Sequence, residues 1–206
     1  MKFWIQTFSG GQIDLLDPKP EQYTLLDIAH SLSRQCRYAG HSRWHTPVAD
    51  HCVRVSDLVL NETMSLRLAW AALVHDVPET AVGDVSGPMK MAMRAVAMAE
   101  GRQRSHFDVI EERHVHACEA KLLVGGSAAD RAIVKLADVR DLIAERNVNF
   151  GPPPQEWAAS AEPHDIAVSS SSSYLATRER WLRKAAALAP TVALSLEASE
   201  ALKSTL

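Results

Sequence analysis

The stretch LVHDVPET, residues 73–80, sets an imidazole beside a carboxylate at the close of an apolar run and adds another carboxylate three residues on. His75 and Asp76 therefore fall where the hydrophobic pattern asks for core. His51 in VADHC and Asp138 in KLADVRD hold comparable places, on or beside the apolar faces of their own segments. An isolated buried carboxylate is very costly unless it pairs or coordinates a cation. Two imidazoles and two carboxylates converging from three helices would make a mixed nitrogen and oxygen site. Such a site suits a borderline or hard divalent ion, with positions left for water and substrate. Taken singly, a histidine on an apolar face is more often a hydrogen-bonded core residue than a ligand, so the joint pattern carries the argument. A divalent ion held this way acidifies its bound water and acts as a Lewis acid on a substrate oxygen.

The elements that must position these residues read as helices. FWIQTFSGGQIDLL predicts a hairpin, Phe3 to Phe8 and Gln12 to Leu16, turning at Gly10-Gly11. YTLLDIAHSLSRQCRYAG predicts an amphipathic helix capped by Thr24 and stopped by Gly40, with Leu25, Ile28, Ala29, Leu32 and Cys36 on one face. TPVADHCVRVSDLVL repeats the pattern through Val48, Cys52, Val55 and Val59, with Pro47 near its first turn. SLRLAWAALVHDV is apolar on nearly every side, as a central buried helix should be, and Pro78 is expected to end it.

GDVSGPMK reads as a loop, and residues 88–100 as a Met-rich helix that is either ordinary core or an adaptable lid. SHFDVIEERHVHACEAKLLV predicts a helix stopping at Gly125-Gly126. Ser127 then caps AADRAIVKLADVRDLIAERN, whose Ile133, Leu136, Ala137, Leu142 and Ile143 are expected to face inward. FGPPPQEW breaks the pattern, the serine run SSSSSY can cap YLATRERWLRKAAALA, and Pro190 interrupts the remainder of the chain. The expected fold is all-α with a short N-terminal β-hairpin: a core over residues 1–150, and a C-terminal helical extension over 151–206 packed on it.

A chain of 206 residues, 47% apolar and 23% charged, can bury a full core. Its formal charge of -3 gives no global basic surface, so a protein gripping long nucleic acid through its phosphates is not expected. Cys36, Cys52 and Cys118 are an odd count without CxxC spacing, which argues against a disulfide framework or a thiolate zinc site and for a reducing compartment. The start MKFWIQTFSGG lacks a signal-peptide apolar run, and no stretch approaches the ~20 apolar residues of a membrane helix. A cytoplasmic protein is the expectation.

The order His51, then His75-Asp76, then a distant Asp138 resembles the signature of the HD-domain metal-dependent phosphohydrolases. The segments CRYAGH, PVADHCVRVS, AALVHDVPETAVGDVSGPMK and IVKLADVRDLIAE are similar to those of bacterial 5'-deoxynucleotidases and phage-type deoxynucleoside triphosphate triphosphohydrolases. The resemblance covers roughly residues 24–146 and implies an HD-domain helical bundle. It also implies one divalent ion (Mn, Co, Fe, Mg, Ni or Zn) on His51, His75, Asp76 and Asp138. Glu79 matches the acidic residue that activates or positions the attacking water, and Asp84 a carboxylate that helps place the nucleotide. Arg37 matches a phosphate-binding arginine, Lys90 is a candidate for the same task, and Tyr38 falls where an aromatic stands near the sugar. The implied substrate is a small nucleotide, with the number of phosphates released left open, and the implied state a homo-oligomer, a dimer by family habit.

Blander readings stand beside these. Glu79 can be a solvated acid at a helix end, and Lys90 a plain surface lysine. Arg34, Arg37 and Arg43 can simply answer a helix dipole, although a guanidinium can also take two phosphate oxygens at once. His114 and His116 point apart on one helix, which is poor geometry for one metal. His41 and His45 can line a pocket mouth or pack, and Trp44 reads first as packing. Within the same fold, a (p)ppGpp or cyclic-nucleotide hydrolase is the alternative enzyme. A metal-holding sensor without turnover is the alternative of another class, although HDVPET shows no sign of degeneration.

Overall fold

The computed structural model describes residues 3–168 and 173–204. An antiparallel hairpin opens the chain, β1 (Trp4–Gln6) pairing with β2 (Gln12–Asp14) so that Ile5 faces Ile13. Gly10 takes φ +91° at its turn, a conformation that only glycine adopts without strain. The helices, in chain order, are α1 (Leu25–Arg34), α2 (Val48–Thr63), α3 (Leu66–Leu73), the short α4 (Glu79–Val82), α5 (Gly87–Ala99), α6 (His106–Leu122), α7 (Ala128–Asn149), α8 (Tyr174–Leu188) and α9 (Val192–Lys203). The fold is thus mostly helical with a two-stranded hairpin, as the sequence predicts. No helix of the described residues is long and apolar enough to cross a membrane.

α2 lies at the centre, against α1, α3, α7 and α8. Its Val48, Cys52, Val55 and Val59 are all buried, matching the expected stripe. The main core joins Leu25, Ile28 and Leu32 of α1 to Leu73 of α3, Leu122 of α6, and Trp181 and Leu182 of α8. A smaller cluster of Val55, Leu58, Leu68 and Ala137 packs where α2, α3 and α7 meet. Each fully buried Leu or Val of this kind contributes roughly 1.5–3 kcal/mol.

Local signals start the helices where expected. Thr24 caps α1 by accepting from the Asp27 N–H, and Ser127 and Asp130 form a reciprocal capping box on α7. Ser173 caps α8; the rest of the serine run, 169–172, lies outside the described residues.

Several expectations are corrected. α1 ends at Arg34 rather than Gly40, because residues 35–37 turn back to pair with the entry to α2. The Arg37 N–H donates to Thr46 O at 2.9 Å, the Val48 N–H donates to Gln35 O at 3.2 Å, and Cys36 bridges Pro47. Tyr38 and Ala39 then take left-handed φ of 61° and 51°. α3 stops at Leu73, so His75 and Asp76 stand in a turn before Pro78 rather than on the helix. Ile133 and Leu136 are exposed on α7, whose buried stripe runs instead through Ala137, Asp141, Ala144 and Glu145. α5 is a surface helix, with Met89, Met91 and Met98 exposed and only Ala97 buried. Trp44 is also exposed and carries the Arg43 guanidinium over its ring rather than packing inward.

Candidate metal centre

Three elements bring the predicted ligands together, His51, His75 and Asp138 as one group able to hold an ion and Asp76 beside both imidazoles. α2 carries His51, the turn after α3 carries His75 and Asp76, and the middle of α7 carries Asp138. His51 Nε2 lies 3.2 Å from Asp138 Oδ1, 3.3 Å from His75 Nε2 and 3.5 Å from Asp76 Oδ2. His75 Nε2 lies 3.3 Å from Asp76 Oδ2 and 3.9 Å from Asp138 Oδ1. Ligand atoms about 2.1 Å from a shared ion stand roughly 3 Å apart when they subtend a right angle, so these spacings suit one cation.

The orientation of each imidazole is set from behind. His51 Nδ1 donates to Asp141 Oδ2 at 2.6 Å, and His75 Nδ1 donates to the Ala72 carbonyl at 2.7 Å. Both Nε2 atoms thus turn lone pairs toward two carboxylate oxygens, a set of acceptors that calls for positive charge at its centre. In the metal-free chain a proton supplies it. Burial works against a charged His51, as does Arg37, yet its hydrogen bonds to Asp138 and Asp141 raise it to about 9. Burial alone would push Asp138 up; the bond to His51 and the nearby His75 and Lys135 hold it well below the usual carboxylate range.

Two orphaned oxygens sit close by: Glu79 Oε2 and Asp84 Oδ2 are buried without a hydrogen-bond partner. Burial, then the charges of Asp76 and Asp84, push the Glu79 carboxyl well above its ordinary value. Burial likewise raises Asp84, against the pull of Arg37. A hydrated cation would give such oxygens the partners they lack, so the donor set fits a divalent metal. Cys52 can also reach His75 and Asp76. Burial holds its thiol well above the ordinary value, which favours the histidine and carboxylate set over a thiolate one.

The predicted substrate contacts are more tied down than their residue types suggest. Arg37, only 8% exposed, gives its Nε to Glu145 Oε2 at 2.9 Å and keeps Nη1 3.7 Å from Asp76 Oδ2. Tyr38 donates its hydroxyl to the same Glu145 oxygen at 2.6 Å and packs edge-on against Phe150. Lys90 pairs with Glu111 at 2.7 Å. Beside the cluster opens a pocket of about 310 Å³ with His75, Asp76 and Asp138 on its wall. Its basic side chains are Arg67, Arg131 and Lys135, none of which the sequence singled out. His114 is a core residue that accepts from the Tyr23 hydroxyl and donates to the Leu15 carbonyl, while His116 is exposed, so the two do point apart.

Sequence reasoning also missed the layer behind the ligands. Arg54, one turn after His51, grips Asp141 with Nε and Nη2 at 2.7 and 2.9 Å and also donates to Glu145. His164 Nε2 donates to Asp141 Oδ1 at 2.7 Å. The available signal was the spacing Asp138, Asp141, Glu145, which puts three acids along one side of α7 with two of them wholly buried.

No family model matches the chain. It is 36% identical over 94 residues to an uncharacterized protein of Rhodobacter capsulatus, a stretch covering 44% of this chain and 48% of that one. It is 38% identical over 87 residues to the uncharacterized protein YfdR of Escherichia coli, covering 42% of this chain and 46% of that one. The chain thus spans about half the length of the curated relatives it matches, and neither relative carries an assigned activity.

Proposed function

We propose that the protein is a metal-dependent phosphohydrolase of the HD type acting on a small nucleotide, a deoxynucleotide by resemblance. The observation that carries this reading is the gathering of His51, His75, Asp76 and Asp138 beside a pocket whose wall includes the last three together with basic side chains. A divalent ion held there would acidify water and polarise a phosphoryl oxygen. The volume of about 310 Å³ lies at the small end of ligand sites, roughly 300–1,000 Å³, which suits a single nucleotide better than a polymer.

The chain's own residues divide the remaining work. Glu79, buried beside the cluster, would in its ionised form, which a bound cation favours, accept a proton from attacking water and pass it on. Arg37 commits its Nε to Glu145 and leaves Nη1 toward the cluster, where a phosphate oxygen can take it. Arg67 and Arg131 hold only backbone carbonyls and one surface acid, so both are available to an anion entering the pocket. Apolar Val74, Pro78 and Val134 complete the wall and limit water around the scissile bond.

The deciding assay strips the protein with chelator and screens mono-, di- and triphosphates of ribo- and deoxynucleosides with Mn, Co, Mg or Zn restored. The expected result is metal-dependent release of phosphate or triphosphate from a deoxynucleotide. Release from monophosphates alone would eliminate the triphosphohydrolase version. Silence on every nucleotide with every metal would overturn the proposal.

A further inference from the structure

We propose that His164 is a positioning residue for the metal ligand His51, acting through Asp141 from the segment that follows α7. The inference rests on His51 holding a divalent ion, and it adds a role for a segment outside the family resemblance.

Asp141 is wholly buried and its four acceptor positions are all taken. Oδ1 accepts from Arg54 Nε and His164 Nε2, each at 2.7 Å; Oδ2 accepts from His51 Nδ1 at 2.6 Å and Arg54 Nη2 at 2.9 Å. His164 and His51 therefore bond opposite oxygens of one carboxylate. Arg54 forks across both oxygens of that carboxylate and gives the second N–H of Nη2 to Glu145, so His164 is the other donor on Oδ1. The bond from His164 holds Oδ1 from the side opposite Arg54, and the seating of the carboxylate sets the angle at which His51 presents Nε2 to the cluster.

The burial of His164 argues that it does more than fill space. Its side chain is 1% exposed and its Nδ1 has no hydrogen-bond partner. A buried unpaired nitrogen is costly, a penalty that an apolar side chain of similar size would avoid. What the imidazole gains in return is the one bond to Asp141. The segment around it is built to hold that bond: Trp157 packs on Phe150 and Tyr38, the Glu162 carbonyl accepts from Arg140 at 3.0 Å, and Ile166 packs on the cluster of Val55 and Ala137.

The test compares native protein with His164→Gln, His164→Leu and His164→Ala, each stripped of metal and titrated with Co²⁺. Affinity is read by calorimetry and ligand geometry by the visible Co²⁺ spectrum, at a temperature well below unfolding. Loss of a residue supporting a ligand weakens metal binding by about 10–100-fold, and one step further out the lower end is expected. His164→Leu and His164→Ala should thus bind about tenfold more weakly with an altered spectrum. His164→Gln should recover most of both, because its amide N–H falls near the place of Nε2. A strap that only held the fold would lower the melting temperature and leave affinity and spectrum alike in all folded variants, which would overturn the inference. If the alanine variant does not fold, equal binding by the glutamine and leucine variants has the same force. Native protein that takes up no divalent ion would overturn the metal reading and the inference together.

Discussion

Gln35 and Glu79 are tied through the backbone: the Gln35 side-chain amide donates to the Glu79 carbonyl at 2.9 Å. Its Oε1 accepts from the Asp84 N–H at 2.8 Å, so one side chain at the end of α1 holds both ends of the segment that carries the two orphaned carboxylates. That explains why α1 gives way where it does. A helical residue 35 would point its amide elsewhere, whereas the extended φ of -76° and ψ of 125° turn it onto the segment beside the metal cluster.

Gln35→Ala should accordingly lower turnover without weakening metal binding. The loss leaves the half-buried Asp84 N–H without its partner, worth at most about 1–3 kcal/mol, and lets Glu79 drift from the cluster. Roughly a tenfold fall in kcat is expected, equivalent to about 1.4 kcal/mol. Parallel kinetics and metal titration check it, and an equal loss of metal affinity would place Gln35 with the ligands instead.

Glu79→Ala should keep the ion and lose most turnover, because Glu79 touches none of the four ligand side chains by hydrogen bond yet stands beside them. Loss of a general base slows reactions by roughly 10²–10⁴-fold. Glu79→Gln should do the same while raising the stability of the metal-free protein at neutral pH, since it removes a buried acid held far above its ordinary pKa. Unchanged activity in either variant would remove Glu79 from the mechanism.

The parts of this architecture that were legible are those written in one stretch of chain. Val48, Cys52, Val55 and Val59 announce α2 by their period, and Ser127 with Asp130 announces α7. The candidate ligands His51, His75, Asp76 and Asp138 were legible because each interrupts an apolar pattern. What stayed hidden depends on distant pairing. The turn at Gln35 follows from the bridge of Cys36 to Pro47, which no local propensity encodes. Ile133 and Leu136 keep helical spacing, but the acids Asp141 and Glu145, neutralised by Arg37 and Arg54, take the inward face further along the same helix. A buried acid looks like a surface acid until its partners are known.

Arg54→Ala should be among the most damaging single changes away from the ligands. Arg54 is the arginine shared by Asp141 and Glu145, both 0% exposed, and removing it leaves buried negative charge short of a partner. Breaking a buried pair by deleting one member costs about 3–5 kcal/mol, a large share of a typical total of about 5–15 kcal/mol. Urea unfolding of the metal-free protein measures it. A shift under about 1 kcal/mol, the size of an exposed pair, would mean that Arg37 on Glu145 and the two histidines on Asp141 neutralise these acids without Arg54.

The metal-free protein should lose stability as pH rises from about 6.5 to 9, and a divalent ion should remove that loss. His51 titrates near the ordinary histidine value of 6.5 when unfolded and at about 9 when folded, so the folded state binds the extra proton between those limits. Stability from this group is complete below pH 6.5 and gone above about 9, with a swing on the order of 3 kcal/mol. Glu79 works in the same direction, because its raised pKa means that the unfolded chain gives up its proton first. Asp138 and Asp141, both held low, act oppositely but only in acid, where their stabilisation fades as pH falls below about 4. A metal must displace the His51 proton to take Nε2, so uptake releases a proton and tightens as pH climbs toward about 9. Thermal unfolding at about pH 6, 7.5 and 9, in chelator and in excess Mn²⁺, separates the two states. Melting temperatures in chelator that stay level across that window would show that His51 stores no proton between Asp138 and Asp141.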